Sequence, residues 1–512
     1  MSTQRGADPA SSQTPADDRT ERREAPDSTD RAGAADPTDH LISTDHTLTG
    51  PDWAMEYQAI TGTMVVGEET VEEEKFAGVK PKAEVFVTSY LAKDAGTDRP
   101  VVFAFNGGPG SSSVWLHLGI FGPRRVLSGD VDDPQPAPYG LVDNPESLLR
   151  YADLVFIDPM TTGYTRAVVG GSPTEYHGYT RDRDLVGEVI RIWLGRHQRW
   201  LSPKFLAGES YGTTRAASLA GHLVARHGIA LNGIILISAV LDFATIRFTR
   251  GNDLPYLHYL PTYAATAAYH QGLGTDEVEQ RIERARDFAA TTYASSLALG
   301  SRLSEEDQQA LAEDMSELIG LDAGYIRRAR FRIEHRRFFA ELLRDRGLDT
   351  GRLDTRFTMA PADLNNEVQE VDPSHMFIFF PYTAAFNAYV RGELGFTSDL
   401  AYEILSGRVQ PWSYREFEGR GVTATEELSA ALRANPDMGV YVGFGYYDGA
   451  TPFSASEYVL DHLDVPTEIT DRVVRRYYPA GHMTYVHEES RIAQSRDIAD
   501  FVIANVPGSV QR

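Results

Sequence analysis

The chain has 512 residues, 42% hydrophobic and 24% charged, with 44 Gly and 27 Pro, a globular composition large enough for one elaborated domain or two to three average ones. Collagen-like, mostly disordered and membrane-spanning classes are excluded. A formal net charge of −24 repels polyphosphates and argues against nucleic acid and anionic lipid as partners, while the absence of Cys excludes disulfides, thiolate metal sites and a cysteine nucleophile.

Residues 1–50 are rich in Asp, Ala, Ser and Thr and carry no aromatic, so they are read as a disordered acidic tail. The longest apolar run in this stretch is Leu41-Ile42, too short for a secretory signal, which makes the cytoplasm the expected location unless the true start differs. From Trp53 the pattern turns strand-like, first over 57–66 and then 83–91, two runs expected to pair antiparallel at a sheet edge. Apolar strands follow at 101–105, 154–158, 205–207, 234–237, 440–444 and 473–478, with an amphipathic helix at 184–200 among them. This alternation predicts an α/β fold with a mostly parallel sheet and helices on both faces. Between 249 and 372 the strand signal disappears and helices are expected at 263–271, 276–299, 304–319 and 323–346. The resulting organisation is a tail (1–50), a first core segment (51–248), a helical cap (249–372) and a second core segment (373–512), with the chain returning to the sheet domain at 376–380.

Three constellations carry chemistry. Gly208-Glu209-Ser210-Tyr211-Gly212 follows a strand and opens a helix, the strand-turn-helix context in which a Gly-x-Ser-x-Gly turn exposes its Ser as a nucleophile. Asn106-Gly107-Gly108-Pro109-Gly110 also follows an apolar strand. In such folds a glycine-rich loop of this kind supplies one oxyanion-hole amide and the residue after the nucleophile the other, here Gly108 and Tyr211. No Gly-Lys-Ser/Thr follows, so a phosphate-binding loop is disfavoured. Finally, Asp448 and His482 each stand just beyond a strand, in the chain order Ser, Asp, His. No metal motif and no cofactor motif is found.

Asn106-Gly-Gly-Pro-Gly-Ser-Ser-Ser, Gly208-Glu-Ser-Tyr-Gly and Ala480-Gly-His482 together resemble the serine carboxypeptidase family of the α/β-hydrolase fold, with a likeness running in motif order from about residue 57 to 501. The resemblance implies a catalytic triad of Ser210, Asp448 and His482, oxyanion donors Gly108 and Tyr211, and capture of a peptide's C-terminal carboxylate by Asn106, Gly107 and Glu209. It implies acyl-enzyme chemistry on peptides with a free C-terminus, without cofactor or metal. A homodimer is compatible with it. Many relatives carry a second Glu ahead of the Gly-Pro that follows the first motif, where this chain has Ile120; His117 or an arginine of the insertion is a candidate to assist carboxylate recognition. Esterase or acyltransferase activity with the same triad, and a non-catalytic binding role, are the alternative readings. The arginine-rich stretch 327–337 is expected to be an ion-paired, solvated helix face.

Overall fold

The computed structural model describes residues 37–93 and 95–506. A central sheet runs β1 (His40–Thr49), β2 (Ala54–Glu72), β3 (Lys75–Ala92), β4 (Val101–Phe105), β5 (Asp153–Ile157), β6 (Lys204–Glu209), β7 (Gly233–Ile237), β8 (Gly439–Gly445) and β9 (Val474–Tyr478). Their spatial order is β1-β2-β3-β5-β4-β6-β7-β8-β9. The first four in that order are joined antiparallel, and from β5 onward every pairing is parallel. The five-residue strands β4, β5 and β7 are buried throughout, as expected of parallel strands covered on both faces.

Helices α1 (Tyr179–Arg196) and α2 (Tyr211–His227) cover one face, where Val186, Trp193, Leu219 and Leu223 join Phe103 and Leu206 in a continuous core. Two later helices, Pro373–Gly392 and Glu488–Ala504, supply Tyr382, Phe386, Ile498 and Phe501 to the core on the opposite face. Between these core segments the chain forms helices α3 (Leu254–His270), α4 (Thr275–Phe288) and α5 (Glu305–Ile319), which enclose an apolar cluster of their own around Tyr259, Tyr263 and Phe338. A short hairpin, Asp349–Thr350 with Thr358–Met359, closes this insertion. No helix among the described residues is long and apolar enough to cross a membrane.

Three elements differ from the sequence expectation. Residues 1–36 of the expected tail lie outside the described residues, but His40–Thr49 is a strand in full register with β2, from His40↔Thr63 to Thr49↔Ala54. Ile42, Thr44, His46 and Leu48 alternate inward along it, a period-two signal that the polar average of the first fifty residues conceals. The expected return at 376–380 is helical, forming α6 (Pro373–Gly392). Asp372 caps it through the Ser374 amide, Pro373 occupies its first position, and Ile378, Tyr382, Ala385 and Tyr389 form its buried stripe. The single helix expected over 323–346 breaks at Arg330 and Phe331, whose φ values are +52° and +63°. Around that break Arg327, Arg332 and Arg337 pair with Glu305, Asp253 and Glu367, the ion-paired surface the sequence suggested.

A buried ion pair ties the two helices of one face to the glycine-rich loop. Arg215 of α2, with its side chain fully buried, reaches Asp182 of α1 at 2.7 Å and donates to the Asn106 carbonyl at 2.5 Å. Burial pushes the Asp182 carboxyl upward and the guanidinium opposes that push. Arg215→Met should therefore destabilise the protein by about 3–5 kcal/mol by leaving an uncompensated buried carboxylate. The double variant Asp182→Leu/Arg215→Met should recover most of that loss, as read from denaturant midpoints at constant slope.

Candidate active site

The sequence of β6 forces a crowded turn at its end. Gly208 lies so close to α2 that a Cβ there would meet the Gly212 carbonyl oxygen at 2.2 Å. A Cβ on Gly107 would come within 2.4 Å of the Tyr211 amide nitrogen, and one on Gly212 within 2.6 Å of the Phe105 carbonyl oxygen. Three glycines thus allow the loop after β4 and the turn after β6 to touch backbone to backbone. Between them Ser210 adopts φ +59°, ψ −130°, a strained conformation for a non-glycine residue. It is half-buried and lines a cavity of about 350 Å³.

The same cavity is lined by His482. Its Nδ1 lies 2.8 Å from Asp448 Oδ2, and both side chains are buried. The Asp448 carboxylate is oriented in turn: Oδ1 accepts the amides of Ala450 and Thr451 at 2.8 and 2.9 Å, and Oδ2 accepts the Thr451 hydroxyl at 2.7 Å. The backbone of His482 is fixed on both sides. Its amide donates to the Leu353 carbonyl at 2.6 Å, and its carbonyl accepts the Ser238 hydroxyl at 2.6 Å. Burial works against a charged imidazole, but the adjoining Asp448 carboxylate outweighs it, and the His482 pKa is raised above the ordinary value of 6.5.

Gly108 is the exposed residue of the glycine-rich loop, with φ +99°, and it borders the cavity. Tyr211 opens α2, where its amide has no intrahelical acceptor. Neither amide has a hydrogen-bond acceptor among the described residues. Two amides without acceptors, one bordering the cavity and one at the helix start just behind Ser210, can stabilise a developing oxyanion.

Deeper in the cavity the side chains of Asn106 and Glu209 meet, the Asn106 amide donating to Glu209 Oε1 at 2.9 Å. The second carboxylate oxygen accepts the Tyr485 hydroxyl at 2.6 Å. Burial drives the Glu209 pKa up to about 7, with His482 and the Tyr485 hydrogen bond opposing the rise. Ile120, standing where many relatives carry a second acid, is buried in the apolar core and supplies only its carbonyl, to Asn144. Tyr485 therefore provides the second partner of Glu209.

His117 does not assist at this site. It stacks on Phe156 with ring centroids 4.2 Å apart, bonds the Tyr90 hydroxyl at 2.6 Å, and is pushed by burial down to about 3. The structure thus gathers Asn106, Gly107, Gly108, Glu209, Ser210 and His482 around one cavity, with Tyr211 and Asp448 directly behind. Thr451, Tyr485 and His375 carry no motif signal, whereas Arg352 belongs to the insertion whose arginines the sequence offers as candidates without fixing which one. Thr451 and Tyr485 each lie three residues beyond a motif residue, Asp448 and His482, and that proximity was the available signal; Arg352 and His375 arrive from distant segments. A larger hollow of about 540 Å³ holds Glu68, Glu175 and Arg181, with Arg181 ion-paired to both of these carboxylates.

Comparison with known proteins bears on this geometry. The family model described as serine carboxypeptidase matches residues 74–494. No curated protein matches the chain. Among solved structures, the prohormone-processing carboxypeptidase of Saccharomyces cerevisiae superposes with a TM-score of 0.55 at 16% identity, covering 87% of this chain and 90% of its own. A proline iminopeptidase-related protein of Thermus thermophilus is a more distant neighbour, with a TM-score of 0.33 at 15% identity and coverage of 87% and 99%. A carboxyl esterase of Bacillus coagulans likewise gives 0.33 at 11% identity, covering 87% and 99%. With a family match over most of its length, this chain belongs to the serine carboxypeptidases, hydrolases of the α/β-hydrolase fold.

Proposed function

We propose that the protein removes C-terminal residues from short peptides through an acyl-enzyme formed on Ser210. The observation that carries this reading is the convergence on one cavity of Ser210, the Asp448-oriented His482 and the buried Asn106–Glu209 pair. His482 takes the Ser210 proton as Oγ attacks the scissile carbonyl, and the amides of Gly108 and Tyr211 receive the oxyanion. The imidazolium then gives its proton to the leaving amine as the C–N bond breaks. Water, deprotonated by the same imidazole, cleaves the ester and returns Ser210 to its hydroxyl form. Asp448 holds the imidazole in the tautomer that presents Nε2.

The substrate's free carboxylate is received by Asn106, the Gly107 backbone and Glu209. Two carboxylates in contact require a shared proton, and a Glu209 pKa of about 7 supplies it up to about pH 7. The hydroxyl of Tyr485 donates to the other oxygen of Glu209 and holds that carboxyl in place. This proton-sharing site distinguishes a carboxypeptidase from an esterase built on the same triad.

The direct test is an N-blocked peptide offered as free acid and as amide, with products read by mass spectrometry. Stepwise shortening of the acid alone is expected, reduced at least about 10³-fold in Ser210→Ala. Hydrolysis of an aryl ester with neither peptide cleaved would assign the triad to esterase chemistry instead.

The second test is the pH profile on the free-acid substrate. Glu209 is neutral below about pH 7 and can donate to the substrate carboxylate; above it the two anions repel. Consequently kcat/KM should fall by about tenfold per pH unit on the alkaline side. Glu209→Gln, which cannot ionise, should abolish that alkaline limb. A limb that persists unchanged in Glu209→Gln would remove Glu209 from carboxylate recognition.

A further inference from the structure

We propose that Arg352 is a carboxylate-binding residue of the active-site cavity, selecting peptides that carry an acidic side chain beside the cleaved bond. The proposal rests on the carboxypeptidase reading above and specifies its substrate class.

Arg352, Leu353, Asp372 and His375 form the part of the cavity wall that comes from the insertion and the start of α6, while Asn106, Gly107 and Glu209 belong to the sheet domain. Arg352 is exposed to the cavity, and no hydrogen bond or ion pair engages its guanidinium among the described residues. In contrast, several other arginines of the insertion are ion-paired: Arg332 with Asp253, Arg337 with Glu367, Arg344 with Glu341 and Arg356 with Asp354. Asp372, on the same wall, does not neutralise Arg352 by side-chain contact. Its oxygens accept the amides of Arg352, Leu353 and Ser374 at 2.9, 3.1 and 3.1 Å, and also the Ser374 hydroxyl.

The backbone carrying this guanidinium is held in place. The Arg352 and Leu353 amides are bonded to the Asp372 cap of α6, and the Leu353 carbonyl receives the His482 amide at 2.6 Å. A cation so placed, one residue from a direct bond to the proposed base, needs little backbone ordering to meet a ligand, and only its side chain has rotamers left to fix. Tyr259, His335, His375 and His482 sense its charge, and it disfavours a positive charge on each of the three imidazoles. None of these offers Arg352 an anionic partner. A carboxylate delivered by the substrate would, and the planar guanidinium can donate to both of its oxygens.

A C-terminal carboxylate is the other source of the same chemistry, and the experiment separates the two. N-blocked peptide acids differing only by Glu or Gln at the last or next-to-last position are compared on the unaltered protein, Arg352→Gln and Arg352→Glu. The unaltered protein should favour Glu over Gln by about tenfold in kcat/KM at one of these positions. Arg352→Gln should bring the ratio to about one, and Arg352→Glu should invert it and favour a Lys peptide, a reversal that a structural role would not produce. Equal ratios in all three proteins would overturn the proposal. So would an Arg352→Gln loss shared equally by Glu and Gln acids, which assigns Arg352 to the C-terminal carboxylate. Protection of Ser210 from a fluorophosphonate by the same peptides separates the underlying readings. Glu-selective protection that Arg352→Gln removes, without peptide cleavage, would support the subsite while overturning the carboxypeptidase reading; unselective protection would overturn the subsite.

Discussion

The constraint on which the site depends is the backbone-to-backbone approach of two loops at the carboxyl ends of adjacent parallel strands. β4 and β6 are neighbours, with Ala104 opposite Ala207 and Phe105 opposite Gly208, so the loops they launch start side by side. Without side chains at Gly107, Gly208 and Gly212 those loops close on each other, and the Ser210 turn is fixed between them. The strained φ of Ser210 is held by its surroundings: the Thr213 amide bonds its carbonyl at 2.8 Å and its own amide bonds the Ile237 carbonyl at 3.1 Å. Burial of the strands on both faces makes this support rigid, because a core packed to near-crystalline density does not relax to relieve local strain.

Electrostatics build on that frame. Asp182 and Arg215 neutralise each other beneath the Asn106 carbonyl. Asp448 has its oxygens engaged by amides and a hydroxyl before it meets His482, which fixes the direction in which it stabilises positive charge. Glu209 is treated oppositely, receiving two neutral donors in a buried setting that leaves its ionisation finely balanced. His482 and Glu209 also act on each other, the imidazolium favouring a charged Glu209 and the carboxylate favouring a charged His482. Their titrations therefore belong to the pair.

Much of this was legible in the sequence because it lies in short, locally coded segments. Apolar runs marked the parallel strands, and glycine spacing marked the two loops that meet at Ser210. Signals that depend on partners distant in sequence were not legible. β1 gains its stability from a backbone ladder to β2, so its modest Ile42 and Leu48 pattern disappeared into a polar average. The run Met376–Phe380 reads as a strand by composition, but the Asp372-Pro373 start and the four-residue spacing of Ile378 and Tyr382 make it a helix. Tyr485 acquires meaning only once the turn after His482 brings its hydroxyl to Glu209, a contact across 276 residues of chain.

The segment that closes the insertion is bonded to both loops of the Asp448–His482 pair. Thr355 donates its amide to the Tyr447 carbonyl, Leu353 accepts the His482 amide, and Asp354 abuts Gly481 so tightly that a Cβ there would meet it at 2.4 Å. The insertion is thus more than an exchangeable appendage, since its last turn is part of the scaffold that sets the imidazole. Exchanging the insertion for that of another hydrolase to change specificity would have to keep residues 349–357, or selectivity and turnover would be lost together.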